Sequence, residues 1–329
     1  MKNLFIGIDI SKEVFDYCAI DEQNQIIINK QVAPNSKDGI EKFCQKLDQL
    51  KEYSIWIAME HTGHYGSLLC YEFSIRQLCY SLINPLEMKH ATGISRGKTD
   101  AVDAWRIASY ALANKHKLKP YILPAKELRK LKVLMSSRER LVKVHVQMKN
   151  GLKSLEIEAK IISLKSHIQE MERIILQIEK SILSTEKQMR EIIKQNDELK
   201  NNFQKITSVI GVGEITAIKC ILETDNFTKF NNPRKFSCHC GLAPFKYQSG
   251  SSIRGKTKTS SLCDKSLKSI LFKAACSAIQ HDPQLKNYYL RKTSEGKHKL
   301  SVINAVASKI VLRIFAVSKR KQNFVKLFN

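Results

Sequence analysis

The chain is poor in glycine, proline and acid, and it has no long uninterrupted apolar run. Thirteen glycines and seven prolines in 329 residues leave no second glycine-rich cluster after "GIDIS", which argues against a fold that cradles a nucleotide in several such loops. The longest apolar stretch near the C-terminus, "SVINAVASKIVLRIFAV", is broken by Lys309 and Arg313, so no bilayer span and no membrane partner are expected. At the N-terminus, "MKNLFIGIDISKEVF" reaches Asp9 before a secretory apolar core has room to form. Acid is the scarcest charge, with 31 Asp and Glu against 55 Lys and Arg and a formal net charge of +24. An excess of that size calls for a polyanion, and nucleic acid is the usual one because each neutralised phosphate releases a counterion.

Nine cysteines are present, most of them inside apolar stretches such as "DYCAI" and "KAACSAI". That placement suits buried free thiols in a reducing compartment, and a soluble cytoplasmic protein is expected. "CHC" at Cys238, His239 and Cys240, with Cys263 downstream, matches no common structural zinc spacing, and a buried helix entering the next motif is the simpler reading.

Along the first 85 residues apolar runs alternate with turns. "LFIGIDI", "FDYCAID", "QIIINKQVA", "SIWIAME" and "LCYSLINP" read as strands. "NSKDGIEKFCQKLDQL" reads as a helix capped by Ser36, with Ile40, Phe43, Leu47 and Leu50 on one face. A mixed sheet covered by helices follows. From "TDAVDAWRIASYALANKHK" onward the pattern is helical, with Thr99 as N-cap and Asp100 in the first turn.

A heptad seam then runs Ile161, Leu164, Ile168, Met171, Ile175, Ile178, Ile182, Thr185, Met189, Ile192, Asn196, Leu199. It fits a coiled coil between subunits, with Asn196 setting register, or a long helix packing on its own chain. Beyond it, Gly211 and Gly213 separate two apolar helical patterns in "FQKITSVIGVGEITAIKCILE". A helix–hairpin–helix that offers backbone N–H groups to a phosphate has this form, and so does any two-helix turn.

The chemistry rests on four acids. Asp9 sits in the first strand, Glu60 ends a later strand, and Asp100 and Asp103 stand at i and i+3 on one helical face. Carboxylates gathered at the ends of buried strands repel one another unless a cation lies between them. Hard oxygen donors select Mg²⁺ or Mn²⁺. Two such ions, roughly 4 Å apart, would stabilise both the attacking and the leaving oxygen of a phosphodiester. His61 and His64 flank the turn after Glu60, as surface histidines or as neighbours of that site.

"GIDISKEVFDYCAI", "AMEHTGHYG", "SRGKTDAVDAWRIA" and "CGLAPFKYQSGSSIRGK" resemble, in that order, the motifs of the DEDD-type insertion-sequence transposases, whose relatives include DNA invertases. The resemblance implies an α/β ribonuclease H-like (RuvC-like) catalytic domain at 1–122. It implies a helical coiled-coil connector for dimerisation at 123–203, and a mainly α transposase domain at 204–329. It also implies that Asp9, Glu60, Asp100 and Asp103 bind metal and that Ser249 is the nucleophile, forming a covalent phosphoserine–DNA intermediate. Ser251 and Ser252 are rivals; the spacing after "GLAP" and the following Gly250 select Ser249.

DNA ends and target, a guide RNA, and a dimer or tetramer of the chain are the partners implied. Arg96, Lys98, Lys246, Gly250, Arg254, Lys256, Lys258 and Lys265 surround the two halves of the site and are the expected nucleic-acid contacts. Arg138, Arg140, Lys143 and Lys149 suit either a nucleic acid or a solvated helix face. Cys263 stands where the family has glycine, and Lys268 where it has arginine. The competing readings are a junction-resolving or ribonuclease H-like nuclease without a covalent intermediate, and an architectural DNA-binding coiled-coil protein.

Overall fold

The first apolar run becomes the centre of a sheet because it can bury both of its faces. In the computed structural model, which describes residues 2–61, 63–91, 100–249 and 253–325 (backbone only at 91, 100–102, 246–249 and 253–258), the chain forms two units, Met1–Leu123 and Pro124–Asn329. The first unit runs β1 (Lys2–Ile10), β2 (Val14–Asp21), β3 (Ile26–Pro34), α1 (Lys37–Leu47), β4 (Tyr53–Glu60), α2 (Ser67–Ile75), β5 (Tyr80–Ile83), α3 (Pro85–Ala91) and α4 (Asp100–Ala113). Strand order is β3-β2-β1-β4-β5. β2 is antiparallel to β1 and β3, while β4 runs parallel to β1 and β5. This is the expected mixed sheet.

Alternation along β1 divides the unit into two cores. Leu4, Ile6, Ile8 and Ile10 join Ile40, Phe43 and Leu47 of α1 and Leu69 and Phe73 of α2. Phe5, on the opposite face, joins Ala104, Ile107, Ala108 and Ala111 of α4. Ser36 caps α1 by accepting from the Gly39 N–H, as its place in the sequence indicates. Gly7 has the more consequential role. A methyl group there would lie 2.1 Å from the Ala104 carbonyl oxygen and 2.3 Å from the Ala108 nitrogen, so β1 and α4 meet backbone to backbone.

The second unit opens with two long helices, α5 (Lys126–Glu158) and α6 (Lys165–Gln195), followed by α7 (Asp197–Thr207), α8 (Glu214–Glu223) and α9 (Pro233–His239). A hairpin of β6 (Pro244–Ser249) and β7 (Ile253–Thr259) leads to α10 (Lys265–His281), α11 (Pro283–Ser294) and α12 (Lys299–Lys319). By length and composition α12 alone among the described residues is apolar enough to cross a bilayer. Here Val306, Ala307, Ile310, Val311 and Ile314 of that helix are buried in the core of the unit.

Two expectations need correction. The heptad seam finds its partner within the chain: α6 lies antiparallel on α5, with Arg138 bonded to Glu186 at 2.6 Å and both His145 and Lys149 meeting Glu179. A two-helix hairpin and an intersubunit coil demand the same apolar period. Asn196 does not set the register of a coil either. Its backbone leaves the helix at φ −120°, ψ 113°, and its side chain accepts from the Leu199 N–H, capping α7.

The turn between α7 and α8 contains Gly211 and Gly213, and its glycine is explained by packing. Gly211 has φ +88°, and a Cβ there would meet the Ala274 carbonyl and Ala278 of α10 at under 3 Å. Close approach of α10 therefore accounts for the residue without a phosphate.

The Gly7 contact is testable. Gly7→Ala is expected to destabilise the first unit by about 1–3 kcal/mol, because two backbone segments have to separate. Urea unfolding followed by Trp56 and Trp105 fluorescence is the measurement.

Candidate active site

Strand parity carries the acids to one place. Asp9 shares a face of β1 with Phe5 and Gly7, and Glu60 shares a face of β4 with Ala58; Phe5 and Ala58 both pack in the core under α4. β1 and β4 are parallel neighbours in a register that pairs Ile8 with Met59, so Asp9 and Glu60 are the next residues on adjoining strand ends. Asp103 precedes Ala104, whose carbonyl touches Gly7, and it is partly exposed. Asp100 is the first residue of α4. Asp9, Glu60 and Asp103 thus stand at one edge of the same α4-covered face. Asp9 and Glu60 are themselves partly exposed at the strand ends, where a substrate can reach them.

Two neighbours of this group were not singled out in the sequence. Arg106 Nη1 lies 3.1 Å from Asp103 Oδ1, a pairing legible afterwards in the i,i+3 spacing of "DAWR". Asp16 lies directly across from Asp9 in the β1–β2 register and is 7% exposed, with Lys30 3.0 Å away. Facing like charges on neighbouring strands are destabilising, and Lys30 offsets that. The turns that follow β1 and β4 are held together by Asn35, whose Nδ2 donates to the carbonyls of Ser11 and Tyr65. His61 and His64 belong to the second of these turns, where the His61 N–H donates to the Ile83 carbonyl.

The serine half lies in the second unit. Ser249 ends β6, with Ile253 as its cross-strand partner. Lys246 is on β6; Arg254, Lys256 and Lys258 are on β7. Lys265 opens α10 and is exposed. Thr99, Arg96, Lys98, Gly250 and the rival serines 251 and 252 lie outside the described residues.

At the root of the hairpin the structure gathers groups that spacing alone does not connect. Glu223, His239 and Asp264 have ligand atoms within 4.8 Å of one another. Lys219, 3.5 Å from Glu223 and 3.1 Å from Glu139, already supplies positive charge there, and Ser266 donates to Glu139. Burial works against ionised Glu223, but His239 and Lys219 hold its carboxyl below its ordinary value. Burial opposes charged Lys219 too, yet Glu139 and Glu223 keep its pKa raised. Burial raises the Cys240 thiol and pushes that of Cys220 up to about 12.

The sign of each shift defines a pH window. The Glu223 contribution is present above its ordinary value of 4.5 and is lost as pH falls below that. The Lys219 contribution is present below 10.5 and is lost as pH rises beyond it. Glu223→Gln is therefore expected to cost about 1–3 kcal/mol near neutrality and to flatten the loss of stability below pH 4.5. Thermal melts across pH 3–7 on both proteins check this.

Similarity to known proteins extends over most of the chain. Residues 6–155 match a family model described as "Transposase", and residues 203–290 match "Transposase IS116/IS110/IS902 family". The "Pilin gene-inverting protein" of Moraxella bovis is 25% identical over 344 residues, covering 99% of each chain. The "Transposase for insertion sequence element IS1111A" of Coxiella burnetii is 23% identical, covering 98% of this chain and 92% of that one. Among solved structures, T. thermophilus RuvC in complex with a Holliday junction substrate aligns with 36% of this chain and 99% of its own, at TM-score 0.29 and 13% identity. Two family models in the same order as the quoted motifs, spanning both units, settle the relationship: this chain belongs to the DEDD-type insertion-sequence transposase family.

Proposed function

We propose that the protein is a transposase that cuts DNA strands and rejoins them through a serine-linked intermediate. The observation that supports this best is the convergence of Asp9, Glu60 and Asp103 on one edge of the α4-covered face, with Asp100 opening the same helix. Their donor set fits a hard divalent cation: adjacent carboxylates on neighbouring strand ends, partly open to solvent, are costly without one. Mg²⁺ or Mn²⁺ held there would polarise a phosphodiester oxygen and stabilise developing negative charge. Asp103, braced by Arg106, is held ready to bind.

In the reaction proposed, Ser249 Oγ attacks phosphorus and gives up its proton. The bond from phosphorus to the leaving strand breaks, and that strand's oxygen takes up a proton. The new phosphoserine ester conserves the energy of the broken bond for transfer to the hydroxyl of another strand, which releases the serine. Lys246, Arg254, Lys256, Lys258 and Lys265, together with Arg96 and Lys98, hold the backbone without reading sequence. Gly250 gives the strand room to approach.

The division of labour is 1–122 for metal-dependent chemistry, 123–203 for connection and subunit pairing, and 204–329 for the nucleophile. A homo-oligomer, dimer or tetramer, fits the exposed heptad-spaced Leu176 and Leu183 on the outer side of α6. A guide RNA and a cytoplasmic, nucleoid-associated setting belong to the same reading.

Strand-transfer assays on DNA carrying the element's ends test the proposal. Asp9→Asn and Ser249→Ala are each expected to lower the rate by about 10³-fold or more, and EDTA should abolish cleavage until Mg²⁺ or Mn²⁺ is restored. Undiminished strand exchange by Ser249→Ala overturns the serine step, and full activity in EDTA overturns the metal site.

A further inference from the structure

Beside the root of the β6–β7 hairpin lies a cleft of about 670 Å³, walled on one side by Pro244 and Thr259 and on the other by the first turns of α12. Its apolar surface comes from Leu242, Phe272, Leu300 and Ala305. Leu300, 58% exposed, stands at its rim. Polar groups are spaced among these: Ser301, Asn304 and Ser308 on α12, with Thr259 opposite. The walls are tied to the frame. Asn304 Nδ2 donates to the Leu242 carbonyl at 2.8 Å, and Lys268 Nζ donates to Thr259 Oγ1 at 3.1 Å.

The charge around the cleft has one sign. No acid lines it. Lys268 is its ionic wall, and Lys297, His298 and Lys299, all exposed, immediately precede Leu300. On α11, Arg291 and the facing Lys309 of α12 both lie over the Tyr288 ring, at 5.7 and 4.5 Å. From Arg291 to Lys321 the only acid is Glu295. An apolar floor takes a flat ring, hydroxyl and amide groups meet a ring edge, and lysines at the mouth meet an anion. That combination describes a nucleotide.

We propose that this cleft binds one unpaired nucleotide of the DNA strand engaged by the β6–β7 hairpin, with its base in the cleft and its phosphate on Lys297 and Lys299. The inference rests on the reading of the protein as a DNA strand-transfer enzyme, and it adds a second grip on the strand at the opposite end of the hairpin from Ser249. Holding a base out of the stack there, roughly 16 Å along β6 from the nucleophile, fixes the path of the backbone that leads to it. A base seated in the cleft has left the stack, so the occupant is an unpaired or extruded nucleotide.

The test uses the full-length protein without metal and a single-stranded oligodeoxynucleotide carrying one 2-aminopurine, read by fluorescence and by affinity. Ala305→Phe, which fills the cleft, and Leu300→Ala, which removes an exposed group, are each expected to weaken binding about tenfold and to suppress the fluorescence change. An abasic oligonucleotide should lose about as much affinity as these variants. Changing Lys297 and Lys299 together to Gln should lower the slope of log affinity against log salt by about 0.7, the value for one phosphate contact on a single strand. If Ala305→Phe does not fold, as judged by its melt, Leu300→Ala decides.

Unchanged affinity and fluorescence in the folded variants overturn the proposal. So does deoxyadenosine monophosphate binding as tightly as the strand, which makes the site one for free nucleotides, or a clear preference for RNA of the same sequence. The two readings fail separately. Cleft variants that bind normally overturn this proposal while cleavage persists, whereas Ser249→Ala with full strand exchange overturns the serine step and leaves the cleft result standing.

Discussion

The first unit of this protein depends on one close contact, the backbone of β1 against the backbone of α4 at Gly7. No side chain fits between them. Because the helix rests directly on the strand, its first turn comes down to the level at which β1 ends, beside Asp9 rather than a side-chain layer above it. Glu60 arrives by a different route, as the next residue in the parallel register of β4 on β1. Acids assembled this way are placed by strand register and by one helix contact.

Placement of that kind has an electrostatic cost, and the structure distributes the compensation. Arg106 meets Asp103, and Lys30 meets Asp16 across from Asp9. In the second unit a comparable crowd of Glu139, Glu223, Asp264 and His239 is organised around Lys219. That network joins α5, α8, α9 and α10 beneath the hairpin that bears Ser249, so polar pairing and the apolar core hold the same elements. Buried charges of this sort give specificity of arrangement more readily than raw stability.

The segment between the hairpin and α10 is held by contacts of its own. Cys263 packs against Gly241, whose φ of +66° and lack of a Cβ leave room for the sulfur. Lys268 reaches Thr259 and closes the cleft beside the hairpin. Asp264, next to the cysteine, caps α10 through the Leu267 N–H. The helix persists because its cap and its first buried leucine were kept.

Local chemistry was determined by sequence alone. Period-two runs made strands of β1, β2, β3, β4 and β5, Ser36 capped α1, and four acids in hard-ligand company pointed to phosphodiester chemistry. The order of the motifs carried the family. What the tertiary structure decided was partnership, because a periodicity states that an apolar face exists without saying what covers it. The heptad seam of α6 was equally consistent with another subunit and with α5, and only the antiparallel packing chose α5. Asn196 looked like a register residue and proved to be a cap, since the helix breaks where its backbone turns extended. Nothing in the spacing of Glu223, His239 and Asp264 brings them within 4.8 Å, and nothing in "KHKLSVIN" sets α12 against the turn after "GLAP". Those contacts join segments tens of residues apart, and they exist only once the chain has closed on itself.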